Sequence, residues 1–155
     1  MTVQTGGLSR ATVADICAAD LPELRNLTLW FGVDDYGGDC TVKDLQKLLS
    51  GSIFPNLEHL GLQDSPLQDE IAEALAASPL LARLEGLDLS MGTLSDRGVE
   101  ALLGSPHLKK LQHLNIRHHY VSPPLVRRLE ALGIELNARD RQSGAEDDRY
   151  VEVSE

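Results

Sequence analysis

Aromatic residues are scarce in this chain, at 4%, while 42% of it is apolar, so any core must be aliphatic. Cysteine is nearly absent: Cys17 and Cys40 are too few for a disulfide framework and read as small buried hydrophobes. Positive charge is in deficit, with 14 Lys and Arg against 24 Asp and Glu, a net charge of −10. A surface this acidic repels phosphate backbones and anionic headgroups, so neither nucleic acid nor membrane is an expected partner. No apolar run approaches the ~18 residues that span a bilayer. The opening segment MTVQTGGLSR has no apolar stretch of the leader-peptide kind, and the expected location is cytoplasmic.

What the chain does have is a repeat. The pattern Leu-x-x-Leu-x-Leu occurs at Leu24, Leu27, Leu29, then at Leu57, Leu60, Leu62, then at Leu84, Leu87, Leu89, and as Leu111, Leu114, Ile116. The last two intervals are 27 residues and the first is 33. An apolar anchor follows each of the last three strands at the same distance (Leu67, Leu94, Val121), and a helix-face residue follows that (Leu75, Leu102, Leu129). Such phasing marks a stacked repeat architecture.

Within each unit the short Leu-x-Leu segment alternates with period two, as a strand does. The stretch after it has helical spacing, for example Ile71, Ala74, Leu75. Helix starts fall at one register: Ser9, Thr41, Ser95 and Ser122, with Gln68 in the remaining unit. The hydroxyls are expected to accept from free N–H groups of the first turn. Thr41 with Asp44 has the spacing of a capping box, and Pro123 suits a first helical position.

These residues resemble the leucine-rich-repeat family over roughly Leu8 to Asn137. The period and the helical side are similar to its ribonuclease-inhibitor-like class, and the chain ending resembles that of some uncharacterised bacterial members. The resemblance implies an α/β leucine-rich-repeat solenoid, a horseshoe with a short parallel sheet on its concave side and helices on its convex side. The sequence departs from the family at the Asn/Cys ladder position, where it has Ser65, Gly92 and His119. The His119 ring is expected to bond backbone groups there in place of Asn.

Residues 1–137 are thus expected to form a repeat domain of about five strand–helix units. Val3 falls on a strand register, so the first unit begins without a polar cap, and self-association through that end is an expectation. Residues 138–155 form an acidic tail with six acids and three arginines. It is expected to fold back on the last repeat as a cap over an open edge strand, with Tyr150, Val151 and Val153 as a small strand or docking peptide.

Strand alternation allows the concave columns to be written down. They include Trp30, His59, Gln63, Asp88, His113, Asn115 and Arg117. Trp and Arg are favoured interface anchors. The first full unit carries six extra residues in the segment Trp30–Asp39, which holds Trp30, Phe31 and Tyr36 beside Asp34 and Asp35. Insertions in solenoids fall on one face, often the binding face. Aromatics beside acids suit a basic or mixed peptide.

Chemistry-bearing constellations are sparse. His59 and His113 share a column two strands apart, about 10 Å between backbones, with no third ligand between them, so no metal site is expected. Asp34, Asp35 and Asp39 lack calcium-loop spacing. No Gly-rich phosphate loop follows a strand, and no Ser-His-Asp or Cys-His set converges. The expected function is a non-enzymatic protein–protein interaction scaffold without cofactor, binding a protein or peptide through the concave face and the 30–39 insertion. The alternative is a structural or regulatory segment of a larger repeat array.

Overall fold

Every second residue of the Leu-x-Leu segments is apolar, and this alternation builds one sheet. The computed structural model describes residues 1–153. Six strands, β1 (Thr2–Val3), β2 (Asn26–Trp30), β3 (His59–Gln63), β4 (Gly86–Asp88), β5 (His113–Asn115) and β6 (Glu135–Asn137), lie parallel in sequence order. Pairing follows the repeat: Leu27 sits opposite Leu60, Leu60 opposite Leu87, and Leu87 opposite Leu114. Five helices link them: α1 (Arg10–Ala18), α2 (Gln46–Leu49), α3 (Gln68–Ala76), α4 (Asp96–Gly104) and α5 (Pro123–Glu130). The architecture is the α/β solenoid that the repeat implied.

The core lies between sheet and helices. Leu27, Leu29, Leu60, Leu62, Leu87, Leu89, Leu114 and Ile116 are at most 2% exposed. Each such side chain contributes about 1.5–3 kcal/mol of burial. Ile71, Leu75, Val99, Leu102 and Leu129 close the core from the helix side.

The helix starts differ in part from the expected caps. The Ser9 hydroxyl accepts from Thr12 N–H at 3.1 Å, and Asp44 closes a capping box on Thr41 through its N–H (2.8 Å) and hydroxyl (2.7 Å). Ser95 and Ser122 do not cap with their own side chains. Carboxylates of the preceding repeat do the work instead. Asp69 accepts from Ser95 N–H at 2.8 Å, and Asp96, 27 residues on, accepts from Ser122 N–H at 2.6 Å. The Ser95 hydroxyl also donates to Asp69.

A column of left-handed residues follows the strands: Asp64, Met91, His118 and Asp140, with φ between 56° and 67°. Non-glycine residues in this region cost of order 1–3 kcal/mol each and persist only where surroundings fix them. Neighbouring repeats supply the fixing bonds, from Asp64 N–H to Ser90 O, Met91 N–H to Arg117 O, and His118 N–H to Arg139 O.

The tail takes a different path from a cap along the last strand. Among the described residues no strand pairs with the outer edge of β6. Residues 149–153 instead run back over the ends of β5, β4 and β3. The Tyr150 carbonyl meets His118 Nε2 at 3.2 Å, Glu152 N–H donates to Met91 O at 2.8 Å, and Val153 N–H donates to Asp64 Oδ1 at 3.0 Å. Val151 is 3% exposed, and Arg117 pairs with Asp140 and Glu152. The left-handed turns supply the Met91 carbonyl and the Asp64 and His118 side chains that hold this segment. No strand forms at Tyr150–Val153.

Candidate interaction face

The face of the sheet turned away from the helices carries a groove of about 460 Å³, lined by side chains of β2 to β6. Of the residues read from the sequence, His59, Asp88, His113 and Asn115 line it. Its floor is low because Gly61 and Gly86 stand where other strands carry side chains. A Cβ on Gly86 would meet His59 Nδ1 at 2.3 Å, so the glycine is what lets the imidazole lie over β4.

One chain of hydrogen bonds crosses the face from β2 to β5. The Trp30 indole N–H donates to Gln63 Oε1 at 2.8 Å, and Gln63 Nε2 donates to Ser90 Oγ at 2.9 Å. The Ser90 hydroxyl donates to Asp88 Oδ1 at 2.5 Å, and Asn115 Nδ2 donates to Asp88 Oδ2 at 2.8 Å. Arg117 N–H closes the series on Asn115 Oδ1 at 3.0 Å. Four strands are thereby joined through the half-buried Trp30, Gln63, Asp88 and Asn115 and the buried Ser90. A surface fixed in this way loses little side-chain entropy on meeting a partner.

Not every expected residue joins this face. Phe31 is 4% exposed and belongs to the core. It continues the inward series Leu27, Leu29, so period-two alternation already carried that signal, and it offers no surface to a partner. Asp34, Asp35 and Tyr36 are exposed but form a short turn outside the groove. That insertion packs on the N-terminal segment: Val33 N–H donates to Gly6 O and Leu8 N–H to Phe31 O. Gly32, at φ 62°, permits the close approach, since a Cβ there would lie 1.8 Å from Gly6 O. The Arg117 guanidinium is taken up by Asp140 and Glu152. His113 Nδ1 lies 2.9 Å from Glu135.

His119 and the two cysteines are structural. His119 is fully buried; its Nδ1 accepts from Val121 N–H at 3.0 Å and its Nε2 lies 3.0 Å from Ala138 O. Desolvation holds its pKa below the ordinary histidine value. This ring replaces the ladder residue as the sequence suggested. Cys17 and Cys40 are both buried, and burial pushes the Cys40 thiol up to about 12, out of the range of a thiolate nucleophile. Among the described residues no helix is long and apolar enough to cross a membrane.

Comparison with known proteins agrees with this geometry. The family model described as Leucine Rich repeat matches residues 55–76 and 84–103. A crystal structure of a Bacteroides fragilis protein is similar at a TM-score of 0.87 and 34% identity, over 95% of this chain and 42% of that one. The chain carries leucine-rich repeats and the solenoid fold they build. It spans less than half the length of the Bacteroides protein. No curated protein matches it. Leucine-rich repeats generally mediate protein–protein interaction.

Proposed function

We propose that this chain is a non-enzymatic interaction module that binds a protein or peptide segment along the open sheet face. The observation carrying this reading is the hydrogen-bonded series from Trp30 to Asn115 bordering the groove. It gives a hydrogen-bonded polar border with acceptors on Asp88 and a flanking indole. An extended segment crossing the strands meets His59, Asp88, His113 and Asn115 in turn. Asp34, Asp35 and Tyr36 form a second, separate contact at the sheet edge, since Tyr36 is 57% exposed beside two carboxylates. The net charge of −10 favours a basic or mixed partner.

The test is affinity capture from lysate of the source cell with the wild type and a His113→Glu/Asn115→Arg variant. The reading expects a protein retained by the wild type and lost from the variant while the variant's far-UV circular dichroism is unchanged. Equal retention by both removes the groove from the account.

A second reading has one observation behind it. The outer edge of β1 carries no partner strand among the described residues, and an open parallel edge is a template for pairing. A segment stacking on further repeats, or on a second copy, would cover it. Light scattering across a hundredfold concentration range separates this reading from the first, which expects a constant monomer mass.

A further inference from the structure

We propose that Glu58, His59 and Glu85 form a binding site for a divalent cation of the zinc type at the rim of the groove. One donor atom from each of the three side chains lies within 4.8 Å of the others. No acid stands between His59 and His113. The acids come instead from the position just before each strand, Glu58 ahead of β3 and Glu85 ahead of β4.

The repeat creates this juxtaposition. Glu58 and Glu85 are 27 residues apart and occupy one register, so parallel stacking puts them on adjacent chain segments. Their backbones are tied: Glu58 N–H donates to Arg25 O, Glu85 N–H to Glu58 O at 2.8 Å, and Gln112 N–H to Glu85 O. The two carboxylates are therefore neighbours by construction. Arg25 answers the charge of Glu58, and Glu85 has no such counterpart among the described residues. The His59 imidazole is laid over Gly86 beside them. An imidazole with two carboxylates suits zinc, cobalt or nickel better than calcium or magnesium, which take mostly oxygen and higher coordination numbers. Bonds of ~2.1 Å in a tetrahedron set ligand atoms about 3.4 Å apart. The closure required is about an ångström or so, within the reach of rotation for groups at a groove rim.

Three protein ligands leave coordination positions open to water or to an acidic group arriving in the groove. The cation would also cancel the carboxylate repulsion at that end of the groove.

Titration calorimetry of the full chain with zinc chloride at pH 7 tests the site. The expected result is one equivalent bound, with affinity reduced at least tenfold in His59→Ala and in Glu85→Gln, and unchanged in Glu135→Gln. Glu85→Gln alters a surface group, so it tests the site without unfolding the repeat. Gly86→Ala removes no ligand but occupies the space under the ring, and is expected to weaken binding as well. Magnesium at tenfold excess should not displace zinc. Absence of saturable binding up to 1 mM zinc, or binding that His59→Ala and Glu85→Gln leave intact, overturns the proposal.

Discussion

Asp69, in the first turn of α3, accepts a hydrogen bond from the backbone N–H of Ser95 at 2.8 Å, across the boundary between two repeats. The same carboxylate takes the Ser95 hydroxyl and the Gly98 N–H at 3.1 Å. One buried acid thus closes the N-terminus of the next helix, and Asp96 repeats the device on Ser122. A solenoid is stabilised through such neighbour terms, since no unit holds alone.

Asp69→Ala strands three donors away from water. The expected loss is about 3 kcal/mol, because bonds to charged groups are worth ~1.5–3 kcal/mol and buried donors left unpaired add to that. Asp96→Ala, with a single such bond lost, should cost about 1.5 kcal/mol. Urea unfolding of both variants checks the ordering; equal or negligible losses contradict it.

His119 predicts a pH dependence. Desolvation lowers its folded-state pKa below the ordinary value of 6.5, so the folded chain binds this proton less readily than the unfolded one. The neutral ring therefore contributes stability that is complete above pH 6.5 and is lost as pH falls through that value toward the lower folded-state value. His119→Asn keeps a side chain able to bond backbone and removes the titration. Its unfolding midpoint should fall less between pH 7 and pH 5 than that of the wild type. Asp64, whose pKa burial raises, works in the opposite sense in both proteins and cancels in the comparison. Parallel pH profiles contradict the assignment.

Val151 anchors the returning tail. Replacing it with Asp puts a charge into a slot where 3% of the native side chain is exposed, and should free residues 138–153 while the repeats stay folded. Trypsin should then cut at Arg149 and Arg141 at least tenfold faster than in the wild type, leaving a protected repeat fragment. Unchanged cleavage rates show that Arg117 and Tyr120 hold the tail without Val151.

The repeat and its register were legible because a period of 27 residues repeats the same burial demand, and Leu27, Leu60, Leu87 and Leu114 stack where it requires. Trp30 and Gln63 could be placed on one face by alternation, and they hydrogen-bond there. Phe31 shares the parity of Leu29 and lies in the core, against the surface role its aromatic ring suggests. Met91 at φ 67° has no local signal, since its conformation is imposed by Arg117 O on the next repeat. Asp69 looked like an ordinary first-turn acid, and its partners lie 26 and 29 residues away. The tail's path depends on the Met91 carbonyl and the Asp64 and His118 side chains at the left-handed turns, which no spacing in residues 138–155 announces. Glu58 and Glu85 stand just before β3 and β4, where strand alternation does not place side chains.

The open sheet face as a binding surface is the central claim. Its most direct test is site-specific photo-crosslinking in source-cell lysate. A benzophenone amino acid is placed at His113 in the groove, at Tyr36 on the insertion, and at the exposed Glu100 on α4. The account predicts a discrete protein adduct from His113 that is absent from Glu100, with any adduct at Tyr36 containing the same protein. An adduct formed from Glu100 and not from His113 would place the partner on the helical side and contradict the account.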